Sequence, residues 1–82
     1  MKVLYFAWMR ERIGESEEAV DAAGLATVGD LVEALKAKSD GHAMAFADTA
    51  AVRVAVNQKV AGFDAPLAGV EEVAFFPPMT GG

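Results

Sequence analysis

Glu72–Gly82 reads EVAFFPPMTGG. Val70 to Phe76 has the β-branched and aromatic content of a strand. In an extended chain Val73 and Phe75 share one face, and Ala74 and Phe76 share the other. Pro77 and Pro78 end the strand, since proline gives no N–H to a ladder and holds its predecessor extended. Residues 77–82 therefore read as a flexible C-terminal tail. Six residues reach at most about 20 Å, enough to enter another protein's cleft. Gly81 and Gly82 have no Cβ, so they thread a narrow channel and accept either sign of φ. A glycine also leaves its acyl carbon open to attack. The carboxylate of Gly82 is thus the candidate working group, and Gly81 the candidate for clearance beside it.

Val3 to Trp8 is nearly all apolar, with Val3, Tyr5 and Ala7 alternating against Leu4, Phe6 and Trp8. Such a run belongs inside a sheet. Val52, Val54 and Val56 alternate with Arg53, Ala55 and Asn57, a half-buried strand. Asn57-Gln58 turns the chain into a short strand at Lys59–Ala61. Thr27 to Lys38 is the clearest helix. Thr27 caps it with Asp30 three residues on, and Val28, Leu31, Val32 and Leu35 form its apolar stripe. Asp40-Gly41 ends it, with a further helical turn expected over Ala43–Ala47. Met9 to Ile13 reads as a short turn closed by Gly14. Ser16 to Ala23 suits either a helix or an edge strand. The order is an α+β arrangement, a mixed sheet of about five strands packed on one main helix, in one domain spanning residues 1–82.

The totals narrow the chemistry. The 82 residues carry a net charge of −5, no cysteine and one histidine. Seven scattered basic residues make nucleic acid an unexpected partner. The apolar opening run is too short to span a membrane or act as a leader, so a cytoplasmic location and no membrane partner are expected. No thiol nucleophile or thiolate metal site can exist. His42, between Gly41 and Ala43, reads as a solvated loop side chain. Neither a metal cluster nor a His–carboxylate constellation is evident, so the chain is expected to have no active site, bound cofactor or metal of its own. Glu71 and Glu72 are adjacent, point to opposite strand faces, and read as a solvated turn. Trp8 reads as sheet packing.

Three segments, VAVNQ at Val54–Gln58, FDAPL at Phe63–Leu67 and EVAFFPPMTGG at Glu72–Gly82, resemble the small subunit of molybdopterin synthase, the MoaD-type sulfur carriers. The opening VLYFAWMRERIG at Val3–Gly14 is also similar, including Arg10. The resemblance runs end to end and implies a ubiquitin-like β-grasp fold, with Ser16–Asp21 a strand paired to the first. It also implies a function in molybdenum cofactor biosynthesis. An ATP-dependent adenylating enzyme activates the Gly82 carboxylate, and a sulfur donor system converts it to a thiocarboxylate. The large catalytic subunit then uses two such carriers in turn, in a heterotetramer, for the dithiolene of molybdopterin. ATP is consumed by the activating partner. Arg10, Phe75, Pro77, Pro78, Met79 and Thr80 are the expected partner-binding residues, Phe75 being read equally as core. The alternatives are a ubiquitin-like protein modifier, a thiamine-type sulfur carrier, and a binding module whose tail only docks.

Overall fold

The computed structural model describes residues 1–78. Strands β1 (Lys2–Tyr5), β2 (Glu17–Ala19), β3 (Arg53–Val56), β4 (Lys59–Ala61) and β5 (Glu72–Phe76) form one mixed sheet in the order β2-β1-β5-β3-β4. Helices α1 (Trp8–Ile13), α2 (Val28–Lys36) and α3 (Asp40–Ala45) accompany it. The C-terminal strand takes the middle position. It runs parallel to β1, with Tyr5 opposite Phe75, and antiparallel to β3, with Val54 opposite Phe75.

The helix read at Thr27–Lys38 forms as α2, with the reciprocal cap in place. Thr27 Oγ1 accepts from the Asp30 N–H, and the Asp30 carboxylate accepts from the N–H groups of Thr27 and Ala26. These bonds occupy otherwise partnerless donors at the helix start. Its stripe of Val28, Leu31, Val32 and Leu35 is buried. It covers the inner sheet face, where Val3, Tyr5, Val54, Val73 and Phe75 join the same core with Met9, Phe46, Val52 and Leu67. Phe46 and Phe75 meet edge to face at 4.9 Å, and Tyr5 stacks beside Phe75 at 6.3 Å.

Several boundaries differ from the sequence reading. β1 stops at Tyr5 because Ala7 adopts φ 57° and ψ −135°, turning the chain straight into α1. Trp8 therefore lies on a helix, with the Arg12 guanidinium 4.7 Å above its ring, instead of in the sheet. The ambiguous segment is an edge strand, β2, antiparallel to β1. Beyond α2 there is a full short helix, α3, which starts earlier than the turn expected at Ala43. Ser39 caps it by accepting the His42 N–H. Gly41 lies inside α3 because α1 crosses close by. A Cβ there would sit 2.4 Å from the Arg12 carbonyl oxygen. Asn57 and Gln58 have φ 48° and 70°, the left-handed pair of a two-residue hairpin between β3 and β4. Glu72 belongs to β5, and only Glu71 is left outside it. The Asn57 side chain holds the strand's start, accepting from the N–H groups of both Glu71 and Glu72.

The core position of Phe75 sets a test. Phe75→Ala removes a fully buried ring at the centre of the aromatic cluster and should cost about 3–5 kcal/mol of folding stability. Phe6→Ala, at a half-exposed position, should cost a small fraction of that. Urea unfolding of the two variants side by side checks the difference.

Candidate functional site

The proline pair follows β5 directly. Phe76, Pro77 and Pro78 are all half-buried, so the chain leaves the sheet along its surface. The tail residues Met79, Thr80, Gly81 and Gly82 lie outside the described residues.

Strand parity determines what surrounds that exit. Val73 and Phe75 point inward, so Ala74 and Phe76 face outward. On β1 the outward residues are Leu4 and, just past the strand, Phe6, whose N–H still donates to the Phe75 carbonyl. On β3 they are Arg53, opposite Phe76, and Ala55, opposite Ala74; on β4 Val60 lies opposite Ala55. The tail half of the outer sheet face thus carries two largely apolar rows, Phe6–Phe76 ending at Arg53 and Leu4–Ala74–Ala55–Val60, with Glu17 flanking Leu4 and Lys2 and Glu72 beyond them. Phe6 is 46% exposed and Val60 78%. Large apolar side chains gathered on one exposed face mark an interaction surface.

This geometry corrects the reading of Phe75 as a partner anchor. Phe75 is 0% exposed and has no surface to offer, because its parity puts it under α2. The outward aromatics are its neighbours Phe76 and Phe6. Leu4, Phe6, Ala55 and Val60 were not picked out from sequence. The usable signal was the double alternation of VLYF, whose second phase must face away from the helix. Arg10 is exposed on α1, the helix that starts at the end of the sheet where the tail leaves.

A second constellation was also missed. His42 is 7% exposed and belongs to α3, so it is neither a loop residue nor solvated. Its Nε2 lies 2.7 Å from Glu18 Oε2, and its Nδ1 lies 2.7 Å from Ser39 Oγ. The Tyr5 hydroxyl donates to the same Glu18 oxygen at 2.7 Å, and Lys38 pairs with the other. Glu18 is on the inward phase of β2, opposite Val3. Burial alone raises its pKa. The hydrogen bonds from His42, Lys38 and Tyr5 outweigh that, and the carboxyl is held down at about 2. Burial, followed by the bond to Glu18 and its negative charge, keeps the Tyr5 phenol well above its ordinary value. A His–carboxylate pair is therefore present, contrary to the sequence reading. Glu18 is a poor proton acceptor, since each oxygen already receives a donor. The cluster ties the edge strand β2 to β1, α3 and the end of α2. Among the described residues no group of three or more His, Cys, Asp or Glu side chains is placed to hold a metal ion. No described helix is long and apolar enough to cross a membrane.

Comparison with known proteins places this geometry in a family. Residues 3–82 match the model of the ThiS family. The molybdopterin synthase sulfur carrier subunit of Escherichia coli (strain K12) is 46% identical over 82 residues, covering 100% of this chain and 99% of that protein. The subunit of the same name from Haemophilus influenzae is 38% identical over 86 residues, with 100% and 99% covered. Among solved structures, a putative molybdopterin converting factor, subunit 1, from Pyrococcus furiosus superposes with a TM-score of 0.72 at 30% identity, with 95% of each chain covered. Small archaeal modifier protein 1 of Haloferax volcanii also gives 0.72, at 29% identity over 96% of this chain and 97% of that one. These neighbours share the ubiquitin-like β-grasp expected from the sequence.

The depressed Glu18 carboxyl predicts an acid limb of stability. A group whose folded pKa lies below its unfolded one stabilises the fold above the unfolded value. That contribution is present above about 4.5 and is lost as pH falls through about 2. Glu18→Gln should lower the melting temperature near neutral pH and flatten its fall between those two values. Thermal melts across that range, wild type against variant, provide the check.

Proposed function

This chain belongs to the ThiS family, and from that premise we propose that it is the sulfur carrier subunit of molybdopterin synthase. The observation that carries this reading is the 46% identity, over essentially the full length of both proteins, to the carrier subunit of E. coli. The motif at Glu72–Gly82 supports it, and so does an apolar outer face beside the strand that launches the tail.

The proposed chemistry begins at Gly82. A carboxylate is a poor electrophile. A partner enzyme activates it when a carboxylate oxygen attacks the α-phosphorus of ATP and pyrophosphate leaves. The resulting acyl-adenylate then takes sulfur from a donor. A carbon–sulfur bond forms, AMP departs, and a thiocarboxylate remains. The large subunit accepts that sulfur in building the dithiolene of molybdopterin, returning Gly82 as a carboxylate. Each step takes place in a partner's active site, so this chain serves to reach, dock and release. Pro77 and Pro78 set the direction of the tail, Met79 and Thr80 extend it, and Gly81 lets it enter a narrow cleft. Phe6, Phe76 and Val60 dock, and Arg10, exposed on α1, is a further partner contact. No bound cofactor is needed on the carrier, and a cytoplasmic setting is part of the proposal.

The likeness to a protein named as an archaeal modifier favours a second reading. The same activated Gly82 could pass to a target lysine as an amide. Intact-mass measurement on chain purified from its native cell separates the two, because a thiocarboxylate adds the oxygen-to-sulfur difference while modification gives conjugates of higher mass.

Deleting Gly81-Gly82 should leave the melting midpoint unchanged, since among the described residues the core elements all precede Pro77. It should abolish sulfur loading, because the carboxylate would stop about 7 Å short of the activating centre, and a misplacement of even 1 Å can cost about 10²-fold in rate. The assay is ATP–pyrophosphate exchange with the cognate activating enzyme, followed by intact mass. A truncated chain that still took up sulfur would refute the carrier reading.

A further inference from the structure

Arg53 has a distinctive place on the outer face. It is opposite Phe76 across the β3–β5 pair, so it ends the row Phe6–Phe76–Arg53 beside the root of the tail. Its guanidinium is exposed, and no carboxylate among the described residues pairs with it. One of its nitrogens, Nη1, reaches the carbonyl oxygens of Ala50 at 3.2 Å and Val52 at 3.4 Å. These contacts orient the charge while leaving most of the guanidinium donors facing outward.

The surrounding charges make this placement unusual. The chain as a whole carries −5, yet the tail end of its apolar face presents a cation. At the other end of the sheet Lys2 is already matched by Glu17 at 3.7 Å, and the outward strand residue is the acidic Glu72. The face is thus polarised along its strands, positive where the tail leaves and acidic or neutralised where β5 begins.

We propose that Arg53 is the charge anchor of this docking face, pairing with a carboxylate at the rim of the apolar patch that covers Phe6, Phe76 and Val60. The partner is a protein surface of matching chemistry, apolar at its centre and acidic on the side that receives the tail. This rests on the proposed function, in which that partner is the large subunit of molybdopterin synthase. The polarised face fixes the rotational register of the two proteins. An apolar patch alone allows many orientations, whereas one cation set beside the tail favours the orientation that points the tail at the partner's cleft. Charges at an interface rim act mainly on encounter and register and give little raw affinity.

The test is stopped-flow association of the full-length chain with the large subunit from the same organism. Wild type, Arg53→Lys and Arg53→Glu are compared between about 0.01 M and about 1 M salt, over which the Debye length falls from about 30 Å to about 3 Å. Arg53→Glu should slow association about tenfold at low salt, with the difference closing at high salt. Arg53→Lys should retain most of the wild-type rate, and the melting temperatures of all three should agree, because the side chain is exposed. Equal rates for wild type and Arg53→Glu at low salt would overturn the anchor role while leaving the partner assignment standing. A salt-independent loss that follows the melting temperature would overturn it too, making Arg53 merely structural. A wild-type chain that does not bind the large subunit would overturn the partner assignment itself, and the anchor role with it.

Discussion

The parallel pairing of β1 with β5 is the constraint on which the rest of the molecule depends. It joins the two ends of the chain, since Lys2 lies opposite Glu72 and Tyr5 opposite Phe75. A parallel pair cannot be closed by a tight turn. Everything between Tyr5 and Glu72 must therefore act as the crossover, and α2 covers the inner face in doing so. The pairing also puts the last strand in the middle of the sheet, held on both sides. The segment that launches the tail is then among the hardest to displace, because opening it would break two ladders and expose Val73 and Phe75 at once.

In the proposed function a firm launching point matters, because Gly82 is there assigned to react in other proteins' active sites. The cost of misplacement grows steeply with distance. Pro77 and Pro78 limit the directions in which the chain can leave, and the half-buried Phe76 keeps the exit against the sheet. The Glu18–His42 cluster contributes in the same sense from the far edge. β2 has only three residues and pairs on one side alone, so ladder bonds give it little. A buried carboxylate with Tyr5, His42 and Lys38 as donors ties it to three other elements. Such a cluster is strong only when complete, because losing one donor leaves a buried charge short of partners.

Much of this was legible in the sequence where the signal was local. The α2 stripe and its Thr27 cap, the alternation of β3, and the strand ending at Pro77 could all be read from adjacent residues. β1 was overrun because Phe6-Ala7-Trp8 stays apolar past the break. The break itself is a left-handed backbone at an alanine, a residue with no turn signature. The Glu18–His42 pair joins residues 24 apart. Neither carries a local pattern, since Glu18 looks like one more acid in an acidic stretch and His42 follows a glycine that resembles a loop. Phe75 and Phe76 were visible as alternating aromatics. Their faces could be assigned only once Tyr5 and Val54 were known to flank Phe75.

That assignment separates two roles that a single short strand performs. Along β5 each inward residue serves the fold and each outward residue serves the surface, with a period of two. Shifting the register by one residue would exchange the sets, sending Phe75 to solvent and Phe76 under α2. The aromatic pair in EVAFF is consistent with both demands, since each face needs a large ring at the tail end of the strand. The inner ring completes the contact with Phe46 and Tyr5. The outer ring continues the row from Phe6 to Arg53. The core and the outer face thus both draw on alternate side chains of the same five residues, and the point where Pro77 leaves the sheet follows directly from the fold.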